Sequence, residues 1–75
     1  MKTLLMFKAE YTTKRFNENQ KVWIVEDYGN FCKVYYKYRG KGRYVSGILK
    51  KENKTFAIPK YIEVTEDFYN RVMNK

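Results

Sequence analysis

The sequence predicts a small, mainly β domain: a five-stranded antiparallel barrel or strongly bent sheet with a short C-terminal α-helix. Three observations predict it. Short apolar runs alternate with Gly and Asn turn signals through the middle of the chain, the registers that those turns impose agree with one another, and only the segment after Thr65 spaces its apolar side chains as a helix does. A chain of 75 residues makes one domain, 1–75, with a core of marginal size. Its 44% hydrophobic and 19% aromatic residues are enough to bury surface against the entropy of ordering.

The elements follow in order. The first strand is predicted at about 3–9. A polar loop at 10–20 follows, pinned to the body by Tyr11 and Phe16. Three runs then make a meander at about 21–27, 31–38 and 43–50. A two-residue turn at Gly29-Asn30 sets Val25 opposite Val34, Trp23 opposite Tyr36 and Glu26 opposite Lys33. The turn in KYRGKGRY (37–44) sets Tyr36 opposite Val45, Val34 opposite Gly47 and Cys32 opposite Leu49. A third turn at Glu52-Asn53 brings Leu49 against Phe56 and Gly47 against Ile58, within a last strand at about 55–64 that Pro59 interrupts. All three turns put one apolar set on one face: Trp23, Val25, Cys32, Val34, Tyr36, Val45, Leu49, Phe56 and Ile58. A helix at about 65–74 starts at Thr65 as N-cap, has Glu66 and Asp67 at the positive end of its dipole, and presents Phe68, Tyr69, Val72 and Met73 as one stripe.

The segment Ala57-Ile58-Pro59-Lys60-Tyr61-Ile62-Glu63-Val64, with Ala9-Glu10-Tyr11 near the start, resembles the closing and opening motifs of Src-homology-three-like small barrels. That resemblance implies a strand, a long loop, a meander and a closing strand. The family's paired tryptophans are absent, with Phe31-Cys32 at the nearest equivalent, and Thr12-Thr13-Lys14-Arg15 replaces its acidic loop, so proline-rich peptides are not the expected ligand. Lys21-Val22-Trp23 is also similar to the start of the DNA-binding sheet of the small archaeal chromatin proteins, basic barrels with a C-terminal helix. In that family the Trp faces DNA, whereas the register above turns Trp23 inward, so only the architecture carries over.

Catalysis is not expected. The chain has no His, and Ser46 is its only serine. Cys32 is the only cysteine, sits on the predicted core face and reads as apolar filler. Adjacent Glu26 and Asp27 point to opposite faces of a strand and cannot form a dyad. No metal or other cofactor is implied, since one Cys, no His and scattered acids make no ligand set. The first apolar run, Leu4-Leu5-Met6-Phe7, is too short for a signal h-region, no membrane span is present, and the lone cysteine fits a reducing, cytoplasmic compartment.

Charge points to the partner. Between Lys33 and Lys54, eight cations stand against Glu52 alone, +7 of the chain's +8. KYRGKGRY has the cations and glycines of a phosphate-gripping loop, but a strand follows it where such a loop needs a helix N-terminus, so its glycines serve a hairpin turn. The face opposite the core is expected to carry Lys33, Tyr35, Lys37, Tyr44, Ser46 and Lys50, with Arg39 and Lys41 at the turn and Arg43 just after it. Cations interleaved with tyrosines are what phosphate neutralisation and base stacking on a sheet require. The expected function is a non-enzymatic binding module for nucleic acid, DNA or RNA, with little sequence preference. The alternative is a protein-interaction module, an inhibitor or accessory subunit, docking the same residues on an acidic protein surface. A membrane surface or a small-molecule substrate is not expected. Equally, a coding bias towards Lys, Asn, Ile and Tyr produces a basic composition without any partner, and solvent-facing Tyr and Lys serve edge protection.

Overall fold

A computed structural model describes residues 2–51 and 58–74. The strands are β1 (Lys2–Lys8), β2 (Lys21–Asp27), β3 (Phe31–Lys37), β4 (Tyr44–Lys50) and β5 (Lys60–Val64), followed by helix α1 (Glu66–Met73). They form one antiparallel sheet in the order β4-β3-β2-β1-β5, so the last strand lies beside the first. The mainly β fold with a short C-terminal helix is as the sequence predicts, and the described strands form an open sheet.

The β3–β4 ladder has the predicted register, with Tyr36 opposite Val45, Val34 opposite Gly47 and Cys32 opposite Leu49. The β2–β3 ladder departs from it. Glu26 pairs with Lys33 as expected, but a bulge at Val25 puts Ile24 opposite Val34 and Trp23 opposite Tyr35. One extra residue in β2 moves everything before it one place along β3, and a one-place shift exchanges faces. Trp23 therefore shares a face with Tyr35, not Tyr36.

That exchange gives the sheet two apolar faces instead of one. The first core holds Phe7, Phe16, Val22, Cys32, Val34, Tyr36 and Leu49, and the second holds Leu4, Met6, Trp23, Tyr35, Val64 and Val72. Full burial of a side chain such as Phe7 or Phe16 stabilises by about 1.5–3 kcal/mol relative to exposure. Ile58 was expected in the core and is 90% exposed, outside any strand, so its pairing with Gly47 does not form. The expected Leu49–Phe56 pair and the Glu52-Asn53 turn lie outside the described residues.

The 10–20 loop covers the first core. Phe16 is buried and meets Tyr36 edge-on, 4.7 Å between centroids, whereas Tyr11 stays half exposed. Arg15 lies over Tyr36 and donates from Nε to its hydroxyl (2.9 Å) and from a terminal nitrogen to the Ile48 carbonyl (2.9 Å). Gly47 makes this possible, because a Cβ there would strike the Arg15 guanidinium.

Helix α1 covers the second core, packing on β1 and β2. Thr65 caps it as predicted, its hydroxyl accepting from the Phe68 amide (3.1 Å). Val72 is buried, Phe68 and Tyr69 are half-buried, and Met73 is on the exposed side of the stripe. Among the described residues no helix is long and apolar enough to cross a membrane.

Candidate functional site

KYRGKGRY is a hairpin connection. Lys37 ends β3, a single 3-10 turn occupies Tyr38–Gly40, and Tyr44 opens β4. Arg39, Gly40 and Gly42 have φ of 55°, 75° and 85°. Glycine adopts this left-handed region without a Cβ penalty, so the two glycines allow the chain to reverse and a strand, not a helix, follows.

This tip is fastened to the 10–20 loop. The Arg39 amide donates to the Arg15 carbonyl (2.9 Å), the Asn17 side-chain amide donates to the Arg39 carbonyl (2.6 Å), and that of Gln20 donates to the Lys37 carbonyl. Main-chain groups of a solvent-exposed turn are thereby satisfied from a neighbouring loop. The side chains of Arg39, Lys41 and Arg43 all remain exposed.

Of the residues expected to form an interface, the structure brings together Lys37, Arg39, Lys41, Arg43 and Tyr44. Lys37 stands over the Tyr44 ring, 5.7 Å from its centroid, and the two are directly paired across the ladder. Lys50 is exposed but pairs with Phe31 at the other end of the hairpin, six residues along β4 and so roughly 20 Å from the tip. Lys33 is half-buried towards that far end, opposite Ile48.

Tyr35 was expected on the solvent face and is only 3% exposed. Its ring lies flat on Tyr44 at 4.8 Å and 6°. The bulge at Val25 brings Trp23 beside it, and α1 roofs the same face, so it is a core residue and offers no surface for stacking. Tyr44 likewise has one ring face occupied, and it meets Phe68 edge-on at 5.9 Å.

Three cations at this end of the sheet were not singled out from the sequence. Lys8 pairs directly with Lys21, and Lys60 pairs with Met6, whose side chain is in the second core. All three are exposed. Each is a strand-terminal lysine, but only the β1–β2 and β1–β5 registers, set through long connections, reveal that they share a face.

Beside them is a groove of about 560 Å³. Trp23 and Lys21 of β2, Lys37 and Tyr44 of the hairpin, and Ile62 and Phe68 on the far side line it. Trp23 and Phe68, which both line it, meet edge-on with ring centroids 5.0 Å apart. Glu63 borders it too. Its neighbours Ile62 and Val64 belong to the second core, so alternation directs the Glu63 side chain to the other face.

The groups with shifted acidity lie elsewhere. Burial pushes the Cys32 thiol up, and Lys51 at 2.7 Å, with the Gly29 amide at 2.8 Å, holds the Asp27 carboxyl below the usual range. Among the described residues no three potential metal-ligating side chains of His, Cys, Asp or Glu come together.

No protein-family model matches the chain, and comparison with curated proteins and with solved structures gives no match either.

Proposed function

We propose that the protein is a small, non-enzymatic module that binds nucleic acid with little sequence preference, gripping phosphates with the β3–β4 hairpin tip. One observation carries this reading. From residue 28 to residue 51 the chain has Lys33, Lys37, Arg39, Lys41, Arg43, Lys50 and Lys51 and no Asp or Glu. Of these, Lys37, Arg39, Lys41 and Arg43 gather at one fastened turn with no carboxylate partner among the described residues. Cations clustered on one turn attract a polyanion, and because the main chain of the turn is already fastened, only their side chains have to be ordered on binding. The strand order, with β5 beside β1, supports a Src-homology-three-like barrel as the parent fold. The single buried, free Cys32 is compatible with a reducing compartment such as the cytoplasm.

An acidic protein surface is the second reading. It is favoured by Tyr38, half exposed between Lys37 and Arg39, since Tyr and Arg are enriched where interfaces concentrate their energy.

An electrophoretic shift with duplex and single-stranded probes at two salt concentrations tests the first reading. Affinity is expected to fall with salt, with a log–log slope of about 0.9 per phosphate neutralised on duplex DNA and about three to five contacts in all. Replacing Lys37, Arg39, Lys41 and Arg43 by Gln is expected to flatten that slope and to weaken all sequences alike. No binding of either probe at low salt, where attraction is strongest, removes this reading and leaves the protein partner.

A further inference from the structure

We infer that the groove beside the hairpin takes an unpaired base of a single-stranded nucleic acid, whose phosphates follow a row of lysines, Lys37, Lys21, Lys8 and Lys60, across four adjacent strands. This deepens the nucleic-acid reading above and rests on it.

The row follows from the ladders. Met6 and Trp23 face each other in the second core, and Lys8 opposite Lys21 is the next same-face pair towards the hairpin end. Trp23 pairs with Tyr35, and Lys37 is two residues further along β3 on the same face. Lys60 sits opposite Met6 on the other flank. Neighbouring strands are about 4.8 Å apart, so the row from β5 to β3 covers roughly 14 Å. It continues at the tip into Arg39, Lys41 and Arg43.

Like charges directly opposite each other on a sheet are unfavourable. Lys8 and Lys21 are such a pair, and none of the four lysines has a carboxylate partner among the described residues. An anion laid along the row relieves that repulsion.

The groove argues for a single strand. Its volume of about 560 Å³ lies within the range of sites for small organic ligands. Trp23, Tyr44, Phe68 and Ile62 give it apolar walls, and Lys21 and Lys37 stand on the sheet side. The opposite wall ends in the first turn of α1, which carries Glu66 and Asp67, so phosphates are favoured on the lysine side alone. Bases held in a duplex stack are not available to such a groove, whereas unpaired bases can turn into it.

The test uses Trp23, the only tryptophan, as its own reporter. A thymidine oligomer of about 12 nucleotides, within the site sizes of small single-strand binders, is titrated into the protein, and a duplex of equal length is titrated in parallel. The oligomer is expected to bind at least about fivefold more tightly than the duplex, which burial of roughly 40 Å² of one base against the apolar walls supplies, and to change the Trp23 emission. The double variant Lys8→Gln/Lys21→Gln, checked for an unchanged thermal transition, is expected to lower the single-strand salt slope by about 1.4, or about 0.7 per lost phosphate contact. Lys14→Gln, in the exposed loop, is the control.

Duplex binding that persists while the single strand is no tighter, leaves Trp23 unchanged, or loses no more to the double variant than to the control overturns the groove inference and leaves the hairpin reading standing. Failure of both probes to bind the wild type removes both.

Discussion

Tyr44 lies flat against Tyr35, ring centroids 4.8 Å apart and planes 6° from parallel. The contact links the opening residue of β4 to the core beneath α1. Replacing Tyr35 by Ala should therefore cost about 2–4 kcal/mol, as truncation of a buried aromatic does, and a loss comparable to that of Tyr36→Ala is expected in urea denaturation. A Tyr35→Ala effect within about 0.5 kcal/mol, the range for surface changes, would mean that the ring is exposed in solution.

Arg15 and Gly47 form a second test of packing. Gly47→Ala is expected to dislodge the guanidinium from Tyr36 and Ile48 and, because the flexible Arg15 side chain can swing aside, to destabilise by about 0.5–1.5 kcal/mol, the worth of a hydrogen bond. In an Arg15→Ala background the same change should cost less, giving a coupling of at least about 0.5 kcal/mol between two sites in contact. Strict additivity in the double-mutant cycle would show that Arg15 does not occupy the space above Gly47.

The cap of α1 can be measured alone. Thr65→Ala leaves the Phe68 amide without its acceptor, and a loss of about 1 kcal/mol is expected, or roughly 4–8 °C in the thermal midpoint of a domain this small. Thr65→Ser retains the hydroxyl and should recover most of it.

Acid should act through Asp27. Its folded pKa is depressed by the hydrogen bond from Lys51 and by the Gly29 amide. A depressed carboxylate contributes stability above its ordinary pKa of about 3.9, and that contribution is lost as pH falls through the lower folded value. Wild type and Asp27→Asn are thus expected to differ near neutrality and to converge as the pH falls through the depressed folded value, within the acid limb where paired carboxylates become protonated. Both residues are exposed, so the gap should be small and shrink with salt. A gap that stays constant down to acid pH counts against the pair.

The β3–β4 register was legible because Gly40 and Gly42 mark a short turn, and a short turn leaves few ways to align the strands that it joins. The tip cations were legible for the same reason. The bulge at Val25 was not, since it lies between Ile24 and Glu26 in a run of apolar residues where one extra residue leaves no mark in composition. That miss kept Trp23 away from Tyr35, and with α1 not assigned to the same face, Tyr35 was left to solvent. Lys8, Lys21 and Lys60 were hidden differently: their pairing depends on the 10–20 loop and on strands far apart in sequence, where turn chemistry gives no alignment.

The ladder between β1 and β5, with Lys2 opposite Val64 and Met6 opposite Lys60, governs the order of assembly. The β2–β3–β4 meander uses contacts between near neighbours and can form early, whereas the β1–β5 ladder must close a long loop before it gains anything. During synthesis, β1 can pair with β2 but lacks its other partner until residues 60–64 have left the ribosome. Until then its outer edge presents unpaired amides and carbonyls flanking Leu4 and Met6, an open template for a neighbouring chain. Changes that slow the arrival of β5 should accordingly appear as lower soluble yield in cells, even where the stability of the finished fold is untouched.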